Sequence, residues 1–369
     1  MLGGGGLIRG IFAAPRLERE TSALIARFSA YPSEQMVTLI NTLVVGLKTS
    51  GIWWKLDVLQ VYAAATSANA LLNWIGARYN GTAVNSPTFT AFKGFAGNGS
   101  TSYVNTGFNA AASGLIAAQN ACTMGYWRND ISTATALDLG TLAVGSEWST
   151  IGRQNSTSIY AGVANGSTVG TFTTTDAQTT VAVTRTGPTA QEAYVRGQSV
   201  GTSSAASGTL ANGNIYVGGS NNIPISSTLY SPSATQVSAF FYGKDLTDAE
   251  HATIHTLISA YMIGVGNYYR PVACWGDSRT AGISQTPYPD QLSPLTTPLR
   301  WFYNGGVSGE TSTQILTRKL ADASHTGGEW VDVLWMGYND IATPSTVLAN
   351  IASAVADSNA RNSGRYLVL

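Results

Sequence analysis

The spacing of apolar residues near the amino terminus predicts helices. Apolar side chains recur at helical intervals at Met36, Ile40, Leu43, Val44 and Leu47, after a Pro32-Ser33 start signal and before a stop at Gly51. Residues 52–65 predict a second helix, and residues 68–74 predict a third, shorter one. We therefore interpret residues 16–77 as a helical segment, preceded by a glycine-rich flexible or assembly arm over residues 1–15.

The pattern changes near residue 78. From there to residue 266, short stretches rich in Thr, Val, Tyr and Phe alternate with Gly, Asn and Ser, which is typical of many short strands joined by turns. Asn-Gly pairs, as at residues 98–99 and 165–166, mark some of those turns. The segment ends in an apolar helical stripe, with Thr247 and Glu250 at capping-box spacing. The prediction is an all-β sandwich closed by one helix.

After residue 270 the chain alternates strands and helices. Strands are predicted at residues 272–275, 299–303, 331–336 and 365–369, and a helix begins at Thr343-Pro344 and runs to about residue 357. The strand at 331–336 is nearly continuous in apolar residues, as a parallel strand covered on both faces should be. Residues 270–369 therefore predict half to three quarters of a doubly wound α/β domain.

Composition narrows the functional classes. Lys plus Arg equals Asp plus Glu at 20 each, so no net charge favours nucleic acid or an anionic membrane as a partner. Charged residues make up only 11% of the chain, which suits virion, secreted and glycan-binding proteins better than cytosolic enzymes. Two cysteines, Cys122 and Cys274, exclude a disulfide framework and a Cys-based zinc cluster. No apolar run reaches the length of a membrane span.

Three short motifs follow predicted strands of the α/β part. Residues 272–278 read Val-Ala-Cys-Trp-Gly-Asp-Ser, residues 304–311 read Asn-Gly-Gly-Val-Ser-Gly-Glu-Thr, and residues 335–340 read Trp-Met-Gly-Tyr-Asn-Asp. Each motif alone is ordinary turn chemistry after a strand. Together and in this order they resemble the first three sequence blocks of the SGNH (GDSL-type) hydrolases, a family of serine esterases with a flavodoxin-like α/β fold.

The resemblance implies a role for each motif residue. Ser278 matches the nucleophile, and its backbone N–H, the backbone N–H of Gly309 and the side-chain amide of Asn339 match the oxyanion hole. Asp277 and Asp340 belong to the same motifs and are expected to fix loop geometry. The resemblance calls for no cofactor and no metal.

The catalytic base is missing from this set. The family takes it from an Asp-x-x-His near the end of the domain, and this sequence reaches Leu369 without one, so we expect the domain to lack its last strand and helix. His325 lies between the second and third motifs, off the family pattern, and we interpret it as a surface histidine. His251 and His255 have a zinc-compatible spacing, but Ala252 breaks the His-Glu-x-x-His pattern, which favours structural roles.

The sandwich resembles a second family. Residues 237–250, a strand followed by Gly-Lys-Asp-Leu-Thr-Asp-Ala-Glu, are similar to the end of concanavalin A-like (laminin G-like) jelly rolls, and residues 85–89 and 97–103 are similar to segments of phage and prophage tail proteins. The expected protein is multidomain: helices, a jelly roll and a partial SGNH domain. Its implied partners are a cell-surface polysaccharide, other virion or tail proteins and further copies of itself, in a virion or outside the cell. The alternative is an active polysaccharide O-deacetylase, if an Asp-x-x-His is supplied downstream.

Overall fold

The computed structural model describes residues 17–129, 135–143, 147–166, 169–174, 178–222, 229–268, 272–283, 286–292, 302–322, 325, 330–362 and 365–369. The predicted arm over residues 1–15 lies outside the described residues. The helices are α1 (Arg19–Ile25), α2 (Glu34–Thr49), α3 (Ser67–Ala70), α4 (Asp248–Gly264), α5 (Ser278–Ala281), α6 (Tyr288–Leu292), α7 (Ser312–Ala321) and α8 (Pro344–Arg361), with a 3-10 turn at Ile52–Lys55.

Strands account for more of the described chain than helices do. The first ten strands are β1 (Leu56–Val61), β2 (Thr82–Val84), β3 (Thr88–Thr90), β4 (Gly94–Ala96), β5 (Tyr103–Asn109), β6 (Cys122–Arg128), β7 (Ala136–Ala143), β8 (Glu147–Asn155), β9 (Ser158–Asn165) and β10 (Gly170–Thr173). The remaining strands are β11 (Thr179–Gly187), β12 (Ala190–Val195), β13 (Gln198–Ser203), β14 (Asn214–Val217), β15 (Gly219–Asn221), β16 (Gln236–Gly243), β17 (Val272–Gly276), β18 (Phe302–Gly306), β19 (Val331–Trp335) and β20 (Tyr366–Val368).

Two of the sheets form a sandwich. The first has the order β13-β12-β11-β6-β16-β4-β3 with β1 paired to β16, and the second has the order β10-β9-β8-β7-β14-β5-β2 with β15 paired to β7. Apolar side chains from both sheets are fully buried between them, among them Phe108, Tyr126, Ile151 and Phe240. The predicted all-β sandwich is confirmed, and its sheet-rich architecture fits a jelly roll.

Helices α2 and α4 cover the outer face of the first sheet. Leu47 of α2 and Ile258 of α4 are buried in one cluster with Trp127 of β6. The Ser33 hydroxyl accepts a hydrogen bond from the Met36 N–H and so caps α2. The predicted apolar stripe of α2 is buried, and the predicted capping box at the start of α4 is formed.

The prediction of a helix over residues 52–65 is wrong. A short 3-10 turn leads into strand β1, which pairs antiparallel with β16, for example Leu59 with Phe241. Val58 points into the core between the sheets, whereas Leu59 and Val61 point into the core beneath the helices. A strand buried on both faces has a continuous apolar sequence, which periodicity cannot distinguish from a buried helix. The predicted helix at 68–74 shrinks to the four residues of α3.

The remaining sheet has the order β18-β17-β19-β20, and its three pairings are parallel. Trp275, Ile315, Leu334 and Ala354 form its core with α7 and α8. Of the predicted strand at 299–303, residues 302–303 lie in β18, and residues 299–301 lie outside the described part of the chain. Among the described strands, none belongs to both this sheet and the sandwich. The domain boundaries themselves stay a prediction.

Within the described residues, no helix is both long and apolar enough to cross a membrane.

Candidate active site

The three motifs lie at the same edge of the parallel sheet. Gly276, the last residue of β17, is level with Gly306 at the end of β18 and with Trp335 at the end of β19. Parallel strands that are level at their ends deliver their following loops to one place, which is where open α/β sheets bind ligands. A backbone hydrogen bond of 3.0 Å from the Val307 N–H to the Gly276 carbonyl joins the first two loops.

Ser278 is the first residue of the short helix α5, which packs directly on the strand ends. A Cβ added at Gly276 would lie 2.0 Å from the Thr280 hydroxyl oxygen, and one at Gly306 would lie 2.1 Å from the Ala281 nitrogen. Both glycines are therefore required for this close approach. Asp277 precedes the helix and caps it, because its Oδ1 accepts a 2.9 Å hydrogen bond from the Arg279 N–H.

The second and third motifs are joined by side-chain hydrogen bonds. The Asn339 amide Nδ2 donates to the Glu310 carbonyl at 2.8 Å. Asp340 Oδ2 accepts from the Ser312 N–H at 3.1 Å and from the Ser312 hydroxyl at 2.5 Å. These bonds hold the Asn339 loop against the start of α7. The loop-fixing role of Asp340 stays a prediction.

Gly309 faces open space. Its φ of +81° is a left-handed conformation that favours glycine, and a Cβ added there would meet nothing within 4 Å. The backbone at Gly309 is consequently accessible from solvent at the same edge as Ser278.

Three N–H donors at this edge have no acceptor among the described residues. They are the backbone N–H of Ser278, the backbone N–H of Gly309 and the second hydrogen of the Asn339 amide. Donors left open in this way can stabilise negative charge on an oxygen atom. The structure therefore brings the predicted site residues to one edge, while their roles in catalysis stay a prediction.

An arginine beside the site was missed by the sequence interpretation. The Arg279 guanidinium lies 3.9 Å from the centre of the Tyr338 ring, within cation–π range. Arg279 directly follows Ser278, and Tyr338 directly precedes Asn339, so this contact links the first motif to the third. The signal in the sequence was the adjacency of both residues to motif positions, which becomes informative only once the loops are known to meet.

His325 is at the opposite edge of the sheet. Its ring stacks on Tyr303 at 3.5 Å, and its Nδ1 is 2.9 Å from Asp322 Oδ2. Tyr303 is level with Ala273, and β17 continues three residues further to Gly276, so roughly 10 Å of strand separates that level from the edge of Ser278. His325 is half-buried rather than on the surface, and it is placed away from the Ser278 hydroxyl.

The other two histidines belong to the sandwich. His251 Nε2 is 2.7 Å from the Thr184 hydroxyl, and His255 Nδ1 is 2.8 Å from the Thr180 hydroxyl, so both rings of α4 contact strand β11. Burial lowers the pKa of His251 to about 3. Both rings are buried and hydrogen-bonded within the fold, as expected for structural histidines. The chain has three histidines in total, so none of them lies at the Ser278 edge.

Neither a family model nor a curated protein matches this chain. Solved structures are similar to parts of it. One is domain 4 of AbnA, an extracellular GH43 arabinanase from Geobacillus stearothermophilus in complex with arabinotriose, with 15% identity over 55% of this chain and 98% of that one and a TM-score of 0.41. Another is AlinE4, an SGNH-hydrolase family esterase, with 21% identity over 27% of this chain and 58% of that one and a TM-score of 0.24.

The binding domain of botulinum neurotoxin serotype D is also similar, with 12% identity over 56% of this chain and 52% of that one and a TM-score of 0.40. This chain thus spans little more than half of the esterase and of the toxin domain. The ligand of the arabinanase domain and the activity of the esterase are properties of those proteins.

Proposed function

We propose that this chain binds a cell-surface glycan and that its α/β part recognises an ester group of that glycan at the Ser278 edge. One observation carries the proposal: the open N–H donors of Ser278, Gly309 and Asn339 lie together at the carboxyl edge of a parallel sheet. The carbonyl oxygen of an ester is the kind of acceptor that such donors suit. An O-acetyl group is the simplest ester that a polysaccharide carries.

The location and partners proposed here follow from the surface and from the resemblance of the sandwich. A chain with 11% charged residues presents mainly Ser, Thr, Asn and Gly to solvent, which suits hydrogen bonding to uncharged sugars. We place the protein in a phage tail or virion, or outside the cell. Further copies of itself and other tail proteins are its proposed partners.

Recognition without efficient turnover is the behaviour we propose for this chain. A serine hydroxyl is a weak nucleophile until a base removes its proton, and no histidine of this chain lies at the Ser278 edge. Oxyanion donors alone leave only a residual rate, on the order of a thousandfold over water in a well-studied protease. The second candidate is an active O-deacetylase, in which a histidine reaches Ser278 from further sequence or from a neighbouring subunit. The observation that favours this second candidate is that Ser278 lies at the same edge as the open donors.

The test compares immobilised bacterial polysaccharides before and after chemical removal of their O-acetyl groups. The full chain should bind the acetylated form more tightly and release little acetate. Asn339→Ala should lose the preference for the acetylated form, because it removes one donor. Ser278→Ala is the matched control, since it keeps the backbone N–H groups and should keep the preference.

Each departure from this result has a definite meaning. Equal binding of acetylated and deacetylated glycans would overturn ester recognition at the Ser278 edge. Rapid acetate release that disappears in Ser278→Ala would establish the active deacetylase instead. Failure to bind any polysaccharide, even with the chain presented in multivalent form, would overturn the glycan proposal.

A further inference from the structure

An aromatic groove lies on the outer face of the second sandwich sheet. It has a volume of about 380 Å³, and its described lining residues include Trp148 of β8, Tyr160 of β9 and Tyr230. That volume falls in the range of roughly 300–1,000 Å³ that is common for small-ligand sites. Ile151 and Ile159, the strand neighbours of these positions, point the other way into the sandwich core. The groove is therefore on the solvent side of the sheet.

Three glycines lie between the lining residues on this face of the sheet. The register places Gly152 opposite Tyr160 on one side and Leu137 on the other, and it places Gly140 and Gly162 on either side of Thr150. Directly opposed residues share one face of a sheet, so three positions of this face carry no side chain. A Cβ at Gly152 would lie 2.2 Å from the Ala136 carbonyl oxygen, which leaves no room for a larger residue there.

Aromatic side chains line the groove beside these glycines. The rings of Trp148 and Tyr230 meet edge to face, with centroids 6.4 Å apart and planes at 79°. Tyr230 is 44% exposed, although an aromatic ring of a folded chain is normally largely covered. Trp148 and Tyr160 are half-buried, so all three aromatic residues leave part of their surface open to solvent.

The polar atoms of the groove fall into two groups. The Thr150 hydroxyl donates to the Leu139 carbonyl, and Arg153 Nη1 donates to the Thr174 carbonyl, so both donors serve the fold. The indole N–H of Trp148 and the hydroxyls of Tyr160 and Tyr230 have no hydrogen-bond partner among the described residues. Rings with open polar tips offer an apolar face and a hydrogen-bonding edge at the same time.

We propose that this groove binds a neutral sugar unit of the glycan, an inference that rests on the glycan binding proposed above. A pyranose or furanose ring has one face of C–H groups, which can lie on the Trp148 ring, and a rim of hydroxyls, which can bond the open tips of Tyr160 and Tyr230. The described lining contains no carboxylate and no lysine, and its one guanidinium already serves the Thr174 carbonyl. The groove thus selects uncharged sugars over uronates and other acidic units.

The test titrates the full chain with neutral tetrasaccharides of glucose, galactose, mannose, xylose and arabinose, and with tetragalacturonate as the acidic probe. Ligand-observed NMR reports binding, and the dissociation constants are compared between variants. Trp148→Ala should weaken binding of the preferred neutral probe on the order of tenfold, because it removes the stacking surface. The double variant Tyr160→Phe with Tyr230→Phe should weaken binding by a few-fold, since it removes only the hydroxyls.

Trp54→Ala is the matched control. Trp54 is 60% exposed and lies on the 3-10 turn before β1, outside the groove, so its loss should leave binding unchanged. Circular dichroism melts of all variants confirm that the sandwich remains folded. If Trp148→Ala binds like the unmodified chain, the groove assignment is overturned while glycan binding stands. Preference for tetragalacturonate would also overturn it. If the unmodified chain binds no glycan at all, the proposed function itself fails.

Discussion

The α/β part contains two polar regions. In one the polar groups are hydrogen-bonded to each other, and in the other N–H donors are left open. Beneath the sheet, the buried carboxylate of Asp332 accepts hydrogen bonds from Trp275 Nε1 at 2.9 Å and from Ser358 Oγ at 2.5 Å, and it lies 3.0 Å from Lys319 Nζ. At the carboxyl edge, the N–H groups of Ser278 and Gly309 have no acceptor among the described residues. Buried polar groups must be paired for the fold to be stable, whereas open donors at a solvent-facing edge are available to a ligand. The contrast separates residues that hold the fold from residues that can bind.

Substitutions in the hydrogen-bonded network around Asp332 should lower the free energy of unfolding more than substitutions at the Ser278 edge. Asp332→Ala leaves the indole N–H of the buried Trp275 without its acceptor and leaves Lys319 with Asp357 as its other carboxylate partner. A buried donor left unpaired costs about 1–3 kcal/mol of unfolding free energy. Denaturant unfolding followed by tryptophan fluorescence measures the loss. Asp290→Ala, at an exposed position of α6, is the control and should change stability by less than about 0.5 kcal/mol. Equal effects of the two substitutions would remove the distinction between the regions.

The paired histidines of the sandwich predict a loss of stability in acid. The folded state keeps His251 neutral down to pH about 3, whereas in the unfolded chain it takes up a proton near its ordinary pKa of 6.5. The unfolded state therefore binds more protons between these values, and stability falls as the pH falls through that window, by about 1.4 kcal/mol per pH unit for one full proton. Unfolding measured from pH 7 to pH 4 should show a shallower decline in His251→Gln. An unchanged slope would mean that His251 is not buried neutral.

Substitutions at the Ser278 edge should have little effect on stability, except where a residue needs a left-handed backbone conformation. Gly309→Ala places a side chain in open space but in a left-handed conformation, which costs roughly 1–2 kcal/mol. Gly76→Ala is the matched control, because its Cβ also meets nothing within 4 Å and its φ is not positive. Thermal melts of the two variants compare them. If Gly309→Ala melts at the same temperature as the unmodified chain, the loop adopts another conformation.

The smallest effect is expected at Ser278 itself. Its side chain hydrogen-bonds no described residue, so Ser278→Ala should leave the unfolding free energy within about 0.5 kcal/mol of the unmodified chain. The same denaturant titration measures it. A loss of more than about 1 kcal/mol would assign Ser278 to the region that holds the fold.

Local signals allowed prediction of part of this fold and of the candidate site. The stripe of α2, the Thr247–Glu250 capping box and the three motifs after strands depend on residues close in sequence, and each lies where it was expected. Features that depend on pairing between distant segments were not predicted. Strand β1 was mistaken for a helix because its partner β16 lies some 180 residues away, as in the pairing of Val61 with Ala239.

The groove and the hydrogen-bond network of Asp332 were not predicted, for the same reason. The groove exists only because the register sets Leu137 and Tyr160 on either side of Gly152 on one face of the sheet, and a short-range sequence pattern does not contain that register. Asp332 interrupted an apolar strand and so gave a signal, but its partners Lys319 and Ser358 come from two helices on either side of it in sequence. Which polar residues are paired and which are open can be known only after the chain is folded.

The central claim is that the Ser278 edge has a nucleophile and oxyanion donors but no histidine base from this chain. Chemical rescue tests it most directly: hydrolysis of 4-nitrophenyl acetate is measured with and without added imidazole, for the unmodified chain and for Ser278→Ala. Imidazole acts on this ester by itself, and the Ser278→Ala protein corrects for that background. We predict equal, negligible rates for both proteins without imidazole and, with imidazole, a faster rate for the unmodified chain than for Ser278→Ala. Rapid Ser278-dependent hydrolysis without imidazole, or no difference between the proteins with it, would contradict the claim.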